Sequence, residues 1–439
     1  MAAGIWQGRF QPVHNGHRTM CVQELTKFKN QYIAIVDPNP SVPPMKGFDN
    51  FSSINNPFTY FQRMVLWKSV IDDYNLNATV DDPRLNVTFV PCWHARKYVA
   101  LENEFLPSRY ERQWIVPYDR DNTEINKVDD LRRLNENVCK VECDPRFANI
   151  TATYIRNHLN SHDVEGMLPA CEIELVKKMF AGNMSGTYYL IPFIGDKIDI
   201  VTIQKALNLY SSASEDNPNL VFVITVKVST EGGTEWTNAE NLPWWFRPAD
   251  HSDDNNDITY YSKSIMLNDL MKSFGIKNYY ITPIFVRGNN ISNLSEYNSA
   301  FIPPRENSQW IVNGNITYHY GFLNYLRNIN AVRVGVERGL KISDNLLNYF
   351  NSEENRDFCL LDNSVSSVEI ERLRMNVDSA LETVTGWQRR GTRGAEERLD
   401  KILAIKASLE EQRNISRDQF NELCEAVNVI LRWIKANQG

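Results

Sequence analysis

The chain has 439 residues, 42% of them hydrophobic and 23% charged, which is the composition of a globular protein of two or three domains and excludes a disordered or collagen-like chain. Its net charge is −7, from 47 basic and 54 acidic residues, so no non-specific nucleic-acid binding is expected, although a local phosphate pocket needs only a few cations. The longest apolar run, near residues 220–226, has the length of a strand and falls far short of a membrane span.

Met1 leads directly into a strand at 5–7 with no charged segment before an apolar stretch, so no signal peptide is expected. Immediately after that strand comes Gly8-Arg9-Phe10-Gln11-Pro12-Val13-His14-Asn15-Gly16-His17. A strand, a glycine-containing loop and a helix start turn backbone N–H groups and the positive end of a helix dipole toward one spot. His14 and His17, three residues apart on the first helical turn, aim into the same spot. Neutral or protonated, they can donate to phosphate oxygens, and Arg9 can add a bidentate contact. One histidine here would read as a satisfied surface residue; two at this spacing read as a phosphate site.

Further strands are expected at 32–37, 87–91, 114–118 and 138–142, with helical apolar spacing around 20–28 and 58–71. This alternation gives βαβ units and a doubly wound parallel sheet, whose ligand site lies beyond the carboxyl ends of the strands. Seven cysteines without a CxxC pair fit reduced thiols in a cytoplasm. Cys139 and Cys143 have no further ligands close by in sequence, so they read as packing residues and no metal site is expected. At the end of the lobe, Ile150-Thr151-Ala152-Thr153-Tyr154-Ile155-Arg156 supplies helix-capping hydroxyls and an arginine. Alone it would be an ordinary N-cap. Opposite the two histidines it becomes a second phosphate clamp.

The middle of the chain repeats the first lobe. Phe105-Leu-Pro-Ser-Arg-Tyr-Glu-Arg-Gln-Trp-Ile-Val116 matches Phe301-Ile-Pro-Pro-Arg-Glu-Asn-Ser-Gln-Trp-Ile-Val312 at seven of twelve positions. Thr59-Tyr-Phe-Gln-Arg63 matches Thr259-Tyr-Tyr-Ser-Lys263, and the strands ending at Pro91 and Pro283 correspond. An internal duplication into two α/β lobes follows. In the second copy the histidine loop becomes Pro192-Phe-Ile-Gly-Asp-Lys-Ile-Asp199, and Glu371 stands where the first copy has Arg156. A carboxylate there would repel a polyphosphate, so the second lobe is expected to be degenerate and inactive. From about 376 onward two apolar stripes, 399–409 and 420–434, predict a helical hairpin, with Ser416 and Gln419 as a capping box and the basic stretch Arg389, Arg390 and Arg393 before it. The expected domains are 1–175, 184–375 and 376–439.

The two motifs of the first lobe resemble the HxGH and (S/T)-x-T-x-x-R signatures of the nucleotidylyltransferase superfamily. Within it, GRFQPxHxGH with Asn56-Pro-Phe-Thr59 and Gln62-Arg63 is most similar to the archaeal-type nicotinamide mononucleotide (NMN) adenylyltransferases, including the branch fused to Nudix domains. The likeness covers about residues 1–170. It implies a Rossmann-like catalytic lobe that moves an adenylyl group from Mg²⁺·ATP to a phosphorylated acceptor, NMN to NAD first of all. It implies roles as well: His14, His17, Arg9 and Arg156 in catalysis; Gly8, Phe10, Gln11, Gly16, Thr151 and Thr153 around ATP; Trp93, Tyr98, Arg63 and Asp121 (beside Arg120) around the acceptor. The family usually has an acidic residue where Gln62 stands, and a tryptophan near Tyr98. The magnesium would travel on the nucleotide's phosphates. Other phosphorylated acceptors, CTP as donor, or a non-catalytic nucleotide-binding regulator stay open as alternatives. A relative of the HIGH-type aminoacyl-tRNA synthetases is disfavoured, because no KMSKS-like segment is present and the chain is acidic. The second lobe and helical tail are candidate surfaces for a homo-oligomer.

Overall fold

The computed structural model describes residues 3–36, 56–92, 104–118, 128–129, 131–133, 135–142, 144–147, 149–194, 197–212, 218–228, 259–287, 295–313, 320–337, 340–360, 367–411 and 417–437. Trp93, Tyr98, Arg120, Asp121 and the Ser416 capping box lie outside them.

The first lobe is built on β1 (Ala3–Gly8), β2 (Gln31–Val36), β3 (Val87–Cys92), β4 (Arg112–Tyr118) and β5 (Val138–Glu142), in the order β3-β2-β1-β4-β5. Every neighbouring pair is parallel. All six residues of β2 are buried, as a parallel strand covered on both faces requires. The crossovers carry α1 (Asn15–Leu25) and α2 (Tyr60–Asn77). α2 opens with a capping box: Thr59 Oγ1 accepts from the Gln62 N–H at 3.2 Å, and the Gln62 side chain accepts from the Thr59 N–H at 2.9 Å. Gln62, in a place where the resembled family has an acid, thus does the local work of a helix cap. α3 (Ala152–Asn157) and α4 (Ile173–Phe180) close the lobe.

The second lobe repeats this arrangement. β6 (Tyr188–Ile194), β8 (Asn219–Val228), β9 (Tyr279–Arg287), β10 (Ser308–Val312) and β11 (Val332–Gly335) stand in the order β9-β8-β6-β10-β11, again parallel throughout. Counted along the chain, these five strands run 3-2-1-4-5 like those of the first sheet, and two short strands extend the second sheet to seven. Trp114 on β4 and Trp310 on β10, matched by the repeat, are both buried. Arg112 donates to the Pro107 carbonyl at 3.1 Å, and its counterpart Ser308 donates to the matching Pro303 carbonyl at 3.0 Å. The short β7 (Lys197–Asp199), followed by α5 (Ile200–Ser212), pairs in parallel with β12 (Cys359–Leu360). α6 (Tyr260–Ser273), α7 (Tyr320–Asn328) and α8 (Asp344–Asn351) complete the pattern.

By its internal packing the chain divides into two compact units. One comprises Met1–Phe193, Ala206–Val312 and Gly321–Gly335; the other Ile194–Lys205, Asn313–Tyr320 and Val336–Gly439. The second unit contains a helical bundle of α9 (Ser367–Arg389), α10 (Ala395–Glu411) and α11 (Arg417–Asn437). The hairpin expected from sequence is therefore preceded by a further helix. Its core draws on Leu373, Val377 and Val384 from α9, Ile402 and Leu409 from α10, and Val427, Ile430 and Ile434 from α11. α9 is closed just beyond its end by Gly391, whose φ of 73° suits glycine, with the Thr392 N–H reaching back to the Trp387 carbonyl at 3.0 Å. Among the described residues, no helix is long and apolar enough to cross a membrane.

Candidate active site

The loop between β1 and α1 lies at the carboxyl edge of the first sheet, where ligands of doubly wound folds bind. Gly8 ends β1 because nothing larger fits: a Cβ there would lie 2.6 Å from Cε1 of Phe10. Phe10 has a φ of 50°, a conformation rare for an aromatic residue and sustained only by strong surroundings. Those surroundings are visible. The Phe10 ring stands edge-on to Trp67 and to His17, each at 5.0 Å between centroids. The Gln11 side chain pairs with the backbone of Phe58 in both directions, each bond 2.9 Å.

His14 is the N-cap residue of α1, and its side chain does not cap the helix. Its ring instead stacks on that of His17, with centroids 3.6 Å apart and planes 23° apart. His14 is 6% exposed while Arg9 is exposed, so the pair sits at the floor of the site and Arg9 at its rim. Gly16 permits the stack: a Cβ there would meet the His14 ring at 3.2 Å and Phe147 Cβ at 3.3 Å. The turn is fixed from the far end of the lobe by Asn15, whose Nδ2 donates to the carbonyls of Gly166 (2.7 Å) and Leu168 (3.2 Å).

The second motif joins the first directly. Thr151 caps α3, its side chain accepting from the Tyr154 N–H at 3.1 Å. Arg156 donates through Nη1 to the Gln11 carbonyl at 2.5 Å and through Nη2 to Thr153 Oγ1 at 3.1 Å. Residues 145 positions apart thus share one hydrogen bond at the centre of the site. Burial, and then the charge of nearby Arg9, pulls the Arg156 guanidinium below the usual arginine value. Two like charges facing one another are a place where an anion is welcome.

Arg63, expected on the acceptor side, is placed by the structure under the loop. It is 0% exposed, and its guanidinium donates to the carbonyls of Thr59 (3.2 Å), Arg9 (2.7 Å) and Val36 (2.7 Å). It anchors the loop from beneath. Trp93, Tyr98 and Asp121, the other acceptor-side residues, lie outside the described residues. Trp67, Phe147 and Asn15 also support the loop, and of these only Trp67 follows from the apolar spacing of α2 in the sequence.

The second lobe has a different occupant at the corresponding place. Asp199, just ahead of α5, accepts from the N–H groups of Val201 (3.2 Å) and Thr202 (3.1 Å) and from the Asn313 amide at 3.0 Å. Its own carboxylate fills the helix start that His14 leaves uncapped in the first lobe. Glu371, aligned with Arg156, is exposed and lies 3.7 Å from Arg374.

A parallel sheet of this strand order, with its loop and helix start at the carboxyl edge, defines a Rossmann-like α/β lobe. Two solved structures that match the chain weakly are a bifunctional NMN adenylyltransferase/ADP ribose pyrophosphatase from Francisella tularensis, 16% identical over 52% of this chain and 62% of that one with a TM-score of 0.30, and a bifunctional NMN adenylyltransferase/ADP ribose pyrophosphatase of the same organism complexed with AMP and a manganese ion, 16% identical over 53% and 62% with a TM-score of 0.25. The match spans less than two thirds of the length of either structure. No family model matches the chain, and no curated protein matches its sequence.

Proposed function

We propose that the first lobe transfers an adenylyl group from Mg²⁺·ATP to a phosphorylated acceptor, with NMN as acceptor and NAD as product. The observation that carries this reading is the Arg156–Gln11 bond, which brings the guanidinium of one motif against the loop that presents the stacked histidines of the other. In the reaction, an acceptor phosphate oxygen attacks the α-phosphorus of ATP in line, the bond to the bridging oxygen breaks, and pyrophosphate leaves. No protein nucleophile is required. The chain's part is to position the phosphates and spread their charge, through His14, His17, Arg9 and Arg156. Magnesium would enter on the nucleotide's phosphates, as the resemblance carried by residues 8–17 and 151–156 implies. NMN as the particular acceptor rests on the resemblance carried by residues 8–17 and 56–63.

The test is incubation with Mg²⁺·ATP and NMN while pyrophosphate and NAD are followed. His17→Ala should lower the rate by about 10²–10³; full activity in that variant sinks the site. Turnover only with another acceptor, or with CTP, would move the substrate assignment. ATP binding without turnover on any acceptor would make the lobe a regulatory module.

A further inference from the structure

The first two turns of α2 are enclosed on every side. Residues Tyr60 to Trp67 are all buried, and helical turns without a solvent-facing stripe need a packing partner on each face. One partner is the histidine loop, which α2 and the residues leading into it hold at three points: the Phe58 backbone on the Gln11 side chain, Arg63 on the Arg9 carbonyl, and Trp67 under the Phe10 ring. The other partner is the second lobe. Tyr60 packs on Phe301 at 5.0 Å, and Phe61 on Tyr188 and Tyr280 at 5.4 and 5.3 Å.

The contact is returned with the roles exchanged. Tyr260, which the repeat aligns with Tyr60, packs on Phe105, which it aligns with Phe301, at 4.9 Å. The Tyr260 N–H also donates to the Glu104 carboxylate at 2.6 Å, and Asn268 donates to Thr88 Oγ1 at 2.9 Å. A contact made twice between equivalent residues is what a two-fold interface between identical subunits produces. Here one chain contains both halves.

We infer that the second lobe serves as a built-in dimer partner that holds α2, and through it the Gly8–His17 loop, in working register. Tyr60, Phe61 and Phe301 are then positioning residues, acting through Arg63 and Trp67 on a loop whose Phe10 conformation needs outside support. The activity part of this inference rests on the adenylyl-transfer reading; the mechanical part does not. A worn copy with no reaction of its own would be kept for this reason.

The experiment uses the full chain with Phe301→Ala, the milder Phe301→Leu, and Phe322→Ala as a control in the second lobe's own core, buried against Trp310 at 5.7 Å. Amide hydrogen exchange over residues 9–17 and 59–67 is read first. Phe301→Ala should speed it about tenfold or more, Phe301→Leu less, and Phe322→Ala little. With NMN and Mg²⁺·ATP, kcat should fall by about 10–100-fold with KM nearly unchanged, because misplacement and not lost binding is the defect. Unchanged loop exchange in a folded Phe301 variant overturns the inference, as does equal loosening by Phe322→Ala. If Phe301→Ala fails to fold, Phe301→Leu decides by the same readings. If the wild-type chain does not transfer adenylyl groups, the exchange result alone judges the inference.

Discussion

Arg156 shows what a single side chain contributes here. Its planar fork spans the Gln11 carbonyl and the Thr153 hydroxyl at once, which a lysine ammonium on a flexible stem cannot reproduce. Arg156→Lys should therefore lose activity by roughly 10²-fold while the far-ultraviolet circular dichroism stays unchanged; retention of activity would mean that a point charge is enough. Arg63 teaches the opposite lesson about legibility. Its sequence position beside the motif suggested an acceptor contact, yet it sits four residues after Thr59 on the inward side of α2, where the carbonyls of Arg9 and Val36 end two parallel strands. A sequence names a cation but does not say whether it faces the site or its foundations. His14, His17 and Arg156 were legible because loop, helix start and spacing restrict where they can point.

At the level of elements, the five strands of the first sheet were readable from β-branched runs, and the parallel order followed from their alternation with helices. α9 is hard to read from sequence: its apolar residues Ile370, Leu373, Val377, Ala380 and Val384 recur at helical spacing, but charged and polar residues between them thin the stripe. The junction of α4 carries a feature that no pattern announces. Glu172, the residue ahead of α4, is 0% exposed, and neither carboxyl oxygen has a hydrogen-bond partner among the described residues. Burial raises its pKa well above the usual carboxylate value. The folded state then binds this proton more tightly than the unfolded state, so the stability it contributes is complete below about pH 4 and is lost as pH rises toward the folded value. Glu172→Gln, which removes the charge, should melt higher than wild type near about pH 8, with the gap closing toward about pH 4. Thermal melts of both proteins across that range check the sign. A gap that widens in acid would show that the carboxylate is stabilised by a partner.

For the whole molecule, the repeat explains how 439 residues can carry a single candidate reaction. The two sheets keep one strand order, and their matched tryptophans stay buried, because each lobe needs its core and each supplies an aromatic face to the other. The helix starts are under no such constraint. In the first lobe the start of α1 is left without a side-chain cap; in the second, Asp199 occupies the start of α5 and Asn313 braces it. A phosphate would have to displace a carboxylate already bonded to those N–H groups, and would meet like charge in doing so. Titration of the full chain with Mg²⁺·ATP should therefore give one nucleotide site per chain, and Arg156→Ala should remove it. Asp199→Ala should cost about 1 kcal/mol of stability, as the loss of an N-cap does, without creating catalytic turnover in the Arg156→Ala background. Two equivalent sites in the wild-type titration would mean that the second lobe has kept a nucleotide site of its own.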